Sequence, residues 1–161
     1  MTTICYSKGI LAADTQLTLT NIKIFASKIF ILRPNFVISC AGDVDIEYKA
    51  MEFFRNPKWR QEEIPDYTKK ENESDEKKEF RCIGIENGQP FFCHDSLVPV
   101  PIEHPFFAIG SGSDIAMGAM HLGLTPQQAV ILASELDINT NDVVDYYDIQ
   151  DKQIKRYLPA L

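Results

Sequence analysis

Residues 2–14 read TTICYSKGILAAD, two short apolar runs separated by Lys8-Gly9. Residues that are apolar or β-branched on both sides of a glycine-containing turn predict a β-hairpin. Outward from it, QLTLT (16–20) and NIKIFASKIFIL (21–32) read as two further strand-like runs, the second with Lys28 on the parity of Ile22, Ile24, Ala26 and Phe30. After Arg33-Pro34-Asn35 comes FVISCAG (36–42), a continuous apolar strand that ends on a glycine. DVDIEYKAMEFFRN (43–56) then changes period. Ile46, Met51, Phe53 and Phe54 recur at roughly helical spacing behind an acidic first turn, and Pro57 stops the helix.

The middle of the chain breaks this density. Residues 66–79, DYTKKENESDEKKE, carry ten charges in fourteen positions and have almost nothing to bury, which predicts an exposed loop. FRCIGI and PFFCH flank Glu86-Asn87-Gly88-Gln89, a second hairpin with an Asn-Gly turn. A proline-rich passage, LVPVPIEHP, leads into the strand of FFAIGSGS. Two helices follow, SDIAMGAMHLG and TPQQAVILASELD, with Gly123 ending the first, Thr125 capping the second and Pro126 at its first position. Ser111 and Ser113 are candidates to cap the helix beginning near Asp114. VVDYYDI is read as the last strand. Several antiparallel strands, a helix, a hairpin, a strand, two helices and a strand suit two antiparallel sheets with helices on their outer faces.

At 161 residues the chain suits a single compact domain spanning 1–161. Sixteen Lys and Arg against twenty-three Asp and Glu leave a net charge of −7 and no basic stripe, so nucleic acid is not an expected partner. The apolar stretches are strand-sized and the front of the chain has no charged region followed by a hydrophobic one, so neither secretion nor a membrane is expected. Cys5, Cys40, Cys82 and Cys93 sit singly among apolar residues, without zinc-site spacing or disulfide density, as buried thiols of a reducing cytoplasm do. Cys93 precedes His94, but strand neighbours point to opposite faces, which argues against a nucleophilic pair.

Three polar positions stand out. Lys28 on an apolar strand face is costly unless paired, and Asp14, at the end of ILAAD, is a natural partner. The plainer alternative has Lys28 snorkelling from a strand end and Asp14 supporting a turn. The third position is the N-terminus itself, provided Met1 is removed, as a small second residue permits. A free Thr2 would hold a hydroxyl nucleophile and its own general base, an α-amine whose pKa of about 8 suits proton transfer near neutrality. A Lys28 ammonium nearby would hold both pKa values down, with Asp14 orienting it.

The opening TTICYSKGILAAD, Lys28-Ile29 in ASKIF, SCAGDVD, AIGSGSDIAMGAM and ASELDINTND together resemble the landmarks of proteasome beta-type subunits and the bacterial HslV-like peptidases, in the family's order and over nearly the whole chain. The resemblance implies an α+β N-terminal nucleophile hydrolase fold, a four-layer αββα sandwich with two antiparallel sheets between helix layers. It implies Thr2 as nucleophile, Asp14 and Lys28 as its electrostatic partners and Gly42 as oxyanion N–H donor. Glycine suits that role because substrate can approach its backbone closely. Ser111, Asp137 and Thr140 are implied as the polar shell around the Thr2 amine. Leu17, Thr18, Ala26, Phe30, Cys40 and Val44 are implied around the pocket for the substrate side chain preceding the cut bond, and the apolar, mid-sized character of the five other than Thr18 predicts a preference for hydrophobic side chains.

Departures from the family pattern accompany these landmarks. The stretch from Asp14 to Lys28 is shorter than usual, Leu17 stands where a small residue is common, and Asn141-Asp142 replace a frequent Gly-Gly. A deletion inside a strand would turn Lys28 to the wrong face, whereas one in a loop would not. The activity implied is that of a threonine peptidase acting on protein or peptide, needing neither metal nor organic cofactor. Also implied are assembly into homo-oligomeric rings and a partner ATPase ring that unfolds substrates. Two alternatives stand beside it: a non-catalytic structural or regulatory subunit of the same fold that keeps Met1, and a hydrolase of small amides.

Overall fold

The computed structural model describes residues 2–159. The opening hairpin forms as the turn residues require. Strands β1 (Thr3–Ser7) and β2 (Ile10–Asp14) pair antiparallel from Ile4↔Ala13 to Ser7↔Ile10, and Lys8 (φ 49°) and Gly9 (φ 81°) both take the left-handed backbone that a tight hairpin turn needs. The free edge of β1 pairs with β10 (Phe106–Gly110). That of β2 pairs with β11 (Val144–Asp148), which carries β12 (Gln153–Tyr157) at the sheet edge. A second five-stranded sheet runs β5 (Ile29–Arg33), β6 (Phe36–Gly42), β7 (Phe80–Glu86), β8 (Gln89–His94) and β9 (Val100–Pro101), all antiparallel.

Alternation along each strand sorts side chains into layers. Ile4, Tyr6, Leu11, Ala13 and Tyr147 of the first sheet meet Ile29, Val37, Ala41, Ile83 and Ile85 of the second, which makes the core between the sheets. The opposite face of the first sheet, with Cys5, Ala12, Ala108 and Val144, lies under helices α2 (Ser113–His121) and α3 (Pro126–Leu136). The outer face of the second, with Phe36, Ile38, Cys40, Cys82, Phe91 and Cys93, packs against α1 (Val44–Arg55) and Trp59. The result is the expected four-layer αββα sandwich. Thr125 and Gln128 form a reciprocal capping box at the start of α3, with Pro126 in its first turn, and Gly123 (φ 95°) follows α2.

Four sequence readings are corrected. NIKIFASKIFIL is not one strand. β4 (Ile22–Phe25) forms a separate two-stranded hairpin with β3 (Gln16–Leu19), and the chain then breaks at residues 26–28 before β5 enters the second sheet. Ile22 and Ile24 are exposed, so the strand face on which Lys28 was placed does not exist. The run carries apolar residues on both parities, and alternation therefore cannot define its faces. Strands β9 and β12 were not foreseen. The first lies in the proline-rich passage, and the second is an edge strand of mostly exposed residues, QIKRY, with no apolar periodicity to betray it. Neither Ser111 nor Ser113 caps α2, which starts behind Gly112 without a side-chain cap. Finally, Cys40, Cys82 and Cys93 are not isolated. They occupy directly paired positions across β6, β7 and β8, invisible in sequence because strand pairing brings them together; all four cysteines are free thiols. Residues 66–79 form neither helix nor strand and are largely exposed, as expected.

Gly110 is where the first sheet meets the start of the chain. Its φ is +98°, and a Cβ there would lie 1.7 Å from the Thr2 carbonyl oxygen. Both the backbone conformation and the space exclude a side chain. Gly110→Ala is expected to destabilise the fold by about 3–5 kcal/mol, measured as a lower midpoint in urea at unchanged slope.

Candidate active site

The hairpin β1–β2 brings residues 2 and 14 together by its register alone. Thr2 immediately precedes β1 and Asp14 is the last residue of β2, and both are buried. The Thr2 hydroxyl donates to Asp14 Oδ1. Lys28 enters from the break between β4 and β5. Its Nζ donates to Thr2 Oγ1 at 2.5 Å and reaches both Asp14 oxygens at 3.1 Å. The break is held by Ala26 N–H donating to the Thr15 carbonyl (2.8 Å) and by Ser39 Oγ donating to the Lys28 carbonyl (2.7 Å). The shortened span between Asp14 and Lys28 thus leaves Lys28 directed at Thr2. Burial pulls the Lys28 pKa below its ordinary value, against the opposing pull of Asp14.

Asp14 also accepts from the backbone N–H of Thr3 (2.9 Å) and of Gln16 (3.0 Å). With these donors and the ammonium in place, it is an anchor for Lys28 whose oxygens are already engaged. Thr3, next to Thr2, points elsewhere: its hydroxyl shares a hydrogen bond with that of Thr140 at 2.7 Å.

Ser111, Asp137 and Thr140 converge on one carboxylate. Ser111 Oγ and Thr140 Oγ1 donate to Asp137 Oδ2 at 2.5 and 2.6 Å. Burial tends to raise the Asp137 pKa, but these hydroxyls outweigh it and hold the carboxyl below the usual range. The cluster reaches the start of the chain at two points. Ser111 N–H donates to the Thr2 carbonyl at 2.9 Å, and Thr140 meets the Thr3 hydroxyl. Asn141, in place of a glycine, bonds through its side chain to the Thr15 backbone N–H (3.0 Å) and so ties this turn to the end of β2.

Thr2 and Gly42 lie where two clefts meet. One, of about 500 Å³, is lined by Ala41, Asp43, Lys77, Glu79, Arg81, Gly110 and Ser111 in addition. Gly42 has φ +127°, and a Cβ on it would stand 2.2 Å from the Glu79 carbonyl oxygen, so glycine is required for backbone reasons besides access. The second cleft, of about 290 Å³, contains all six positions Leu17, Thr18, Ala26, Phe30, Cys40 and Val44. It also contains Glu47, Tyr48 and Met51, which sequence reasoning missed. With Val44 these make the i, i+3, i+4, i+7 face of α1, a spacing that could have revealed them. Burial pushes the Glu47 carboxyl up to about 7, with Lys28 pulling the other way. Cys93 is buried while His94 is exposed, so the two do not meet.

Among the described residues no cluster of His, Cys, Asp and Glu could hold a metal ion, and no helix is long and apolar enough to cross a membrane. No protein-family model and no curated protein matches the chain. Solved structures do match it. Eukaryotic HslV from Trypanosoma brucei aligns over 96% of this chain and 99% of its own, with a TM-score of 0.64 at 18% identity. Thiobacillus denitrificans BPH in complex with epoxomicin aligns over 98% and 99%, with a TM-score of 0.63 at 17% identity, and a second BPH structure gives the same score and identity. At such identities the likeness speaks for the fold, and the fold is that of HslV and the proteasome beta-type subunits.

Proposed function

We propose that this chain is a threonine-type peptidase in which Thr2, exposed as the N-terminal residue by removal of Met1, is the nucleophile. The observation that carries this reading is the hydrogen-bonded set of Thr2 hydroxyl, Lys28 ammonium and Asp14 carboxylate at the meeting of two clefts. Met1 itself lies outside the described residues. In the proposed reaction Thr2 Oγ attacks the peptide carbonyl carbon and its proton passes to the freed Thr2 α-amine. The carbonyl electrons move to oxygen, where the Gly42 N–H stabilises the oxyanion. As the C–N bond breaks, the protonated α-amine returns the proton to the leaving nitrogen, and water then hydrolyses the ester on Thr2 by the same proton route. Lys28 lowers the cost of charge on Oγ, and Asp14 holds Lys28 in place. Ser111, Asp137 and Thr140 fix the Thr2 carbonyl and Thr3, and so the direction of the amine. No step calls on a metal or organic cofactor.

Assembly into a homo-oligomeric ring in the cytoplasm, with peptide or unfolded protein as substrate and an ATPase ring as unfolding partner, completes the proposal. Leu19, Ile22, Ile24 and Phe25 of the β3–β4 hairpin are exposed apolar side chains of the kind that subunit contacts cover, which supports an assembled state.

The test is the intact mass of the purified protein before and after incubation with a peptide epoxyketone, whose ring closure needs a hydroxyl and a free amine on one residue. The expected result is a chain without Met1 that gains one inhibitor per subunit. A mass that retains Met1 and gains nothing would replace this reading with a non-catalytic subunit of the same fold.

A further inference from the structure

Resting on the peptidase reading, we propose that Glu47 makes the pocket beside Thr2 selective for a cationic side chain, lysine or arginine, immediately before the cut bond. The five apolar positions that suggest a hydrophobic preference form only part of the wall. Glu47 stands on the cleft-facing stripe of α1 with Val44, Tyr48 and Met51, beside the core-facing Ile46, Ala50 and Phe54, and it is half-buried. A carboxylate in that setting loses hydration, which the rest of the pocket does not restore. No hydrogen bond or ion pair to its side chain is found among the described residues.

Charged groups of both signs act on Glu47. Lys28 acts on Glu47 as an opposing charge, but its Nζ is engaged 3.1 Å from both Asp14 oxygens and donates to Thr2, so it offsets part of the Glu47 charge without occupying the pocket; the α-amine of a freed Thr2 adds a second, titrating positive charge on the same side. Asp43, just before α1, adds to the negative field at Glu47. From β6 comes the Cys40 thiol, whose pKa is raised above the ordinary value, and from α1 the Tyr48 phenol. The pocket therefore presents apolar walls with one carboxylate, Glu47, that no side chain engages by a hydrogen bond or ion pair among the described residues. That combination fits a long aliphatic stem ending in a cation: the methylenes lie along Leu17, Phe30 and Cys40, and the ammonium or guanidinium supplies the donors that Glu47 lacks. A leucine or tyrosine side chain fills the same space but leaves the carboxylate desolvated and unmatched.

The experiment measures kcat/KM of the full-length, assembled protein on fluorogenic peptides that differ only in the residue before the cut bond (Arg, Lys, Leu, Tyr, Glu), for wild type, Glu47→Gln and Glu47→Lys. Wild type is expected to favour Arg and Lys over Leu. Glu47→Gln should lower the Arg-to-Leu ratio by about tenfold or more, and Glu47→Lys should move the preference toward Glu. The wild-type Arg-to-Leu ratio should also rise between pH 6 and 8 as Glu47 ionises, a rise that Glu47→Gln removes. Hydrolysis with an Arg-to-Leu ratio that neither substitution alters would overturn the role of Glu47 and leave the peptidase reading standing. Absence of hydrolysis of every peptide, together with no epoxyketone adduct, would overturn both.

Discussion

If the proposed mechanism holds, Thr2→Ala is expected to lower peptide hydrolysis by at least about 10³-fold while leaving the chain folded and its oligomeric state as in wild type. The substitution removes one hydroxyl, which is both the proposed attacking atom and a ligand shared by Lys28 and Asp14. Structural consequences are small because Asp14 keeps Lys28 and the Thr3 and Gln16 amides. A stability loss of about 1 kcal/mol is the order expected for one hydrogen-bonding hydroxyl. Thr3→Ala is the control that separates the two adjacent threonines. Thr3 meets Thr140 and belongs to the supporting cluster, so its loss should reduce the rate without abolishing the epoxyketone adduct. Rates are read from a fluorogenic peptide and assembly from sedimentation. Thr2→Ala at wild-type rate would eliminate Thr2 as nucleophile.

What could be read from sequence divides along a physical line. Features set by local chemistry were legible: the Lys8-Gly9 and Asn87-Gly88 turns, the Thr125 cap with Pro126, and the switch from strand to helix period after Gly42. Features set by pairing were not. Cys40, Cys82 and Cys93 lie dozens of residues apart in part, and only the register of β6, β7 and β8 places them in a row. The exposed edge strand β12 left no apolar signature because its surroundings ask for none. Lys28 is the instructive case. It was singled out for lying on an apolar strand face, yet Ile22 and Ile24 face solvent and Lys28 lies in a break between strands. The proximity of Asp14 was anticipated, but the argument from parity was not what produced it. A hairpin register, a short break at residues 26–28 and the Ser39 hydroxyl on the Lys28 carbonyl did. Glu47 was not legible because the apolar residues Ile46, Met51, Phe53 and Phe54 set the visible period of α1, while the second stripe at 44, 47, 48 and 51 mixes apolar, acidic and aromatic side chains.

Lys28→Met is expected to be nearly as damaging as Thr2→Ala, and to damage stability as well. Methionine keeps an unbranched stem of similar length and removes the charge. The ammonium donates to Thr2 Oγ1 at 2.5 Å, so without it the hydroxyl loses the cation that favours its deprotonation, and a fall of about 10²–10³-fold in kcat/KM follows. Asp14 is meanwhile left fully buried without its counter-ion, at a cost of about 3–5 kcal/mol in the urea unfolding free energy. The two consequences can be separated. Lys28→Met with Asp14→Asn removes the stranded charge and should recover much of the stability, because the asparagine oxygen still accepts from a backbone amide, but none of the activity. Recovery of activity in the double variant would mean that Lys28 only neutralises Asp14 and takes no part in activating Thr2. The pH profile supplies an independent reading. On the proposed mechanism the α-amine of a freed Thr2 must be neutral to accept the hydroxyl proton, and its titration sets the acid limb. The ammonium must itself be protonated, and burial lowers its pKa, so the alkaline limb falls below the ordinary lysine range. Lys28→Met should remove the alkaline limb.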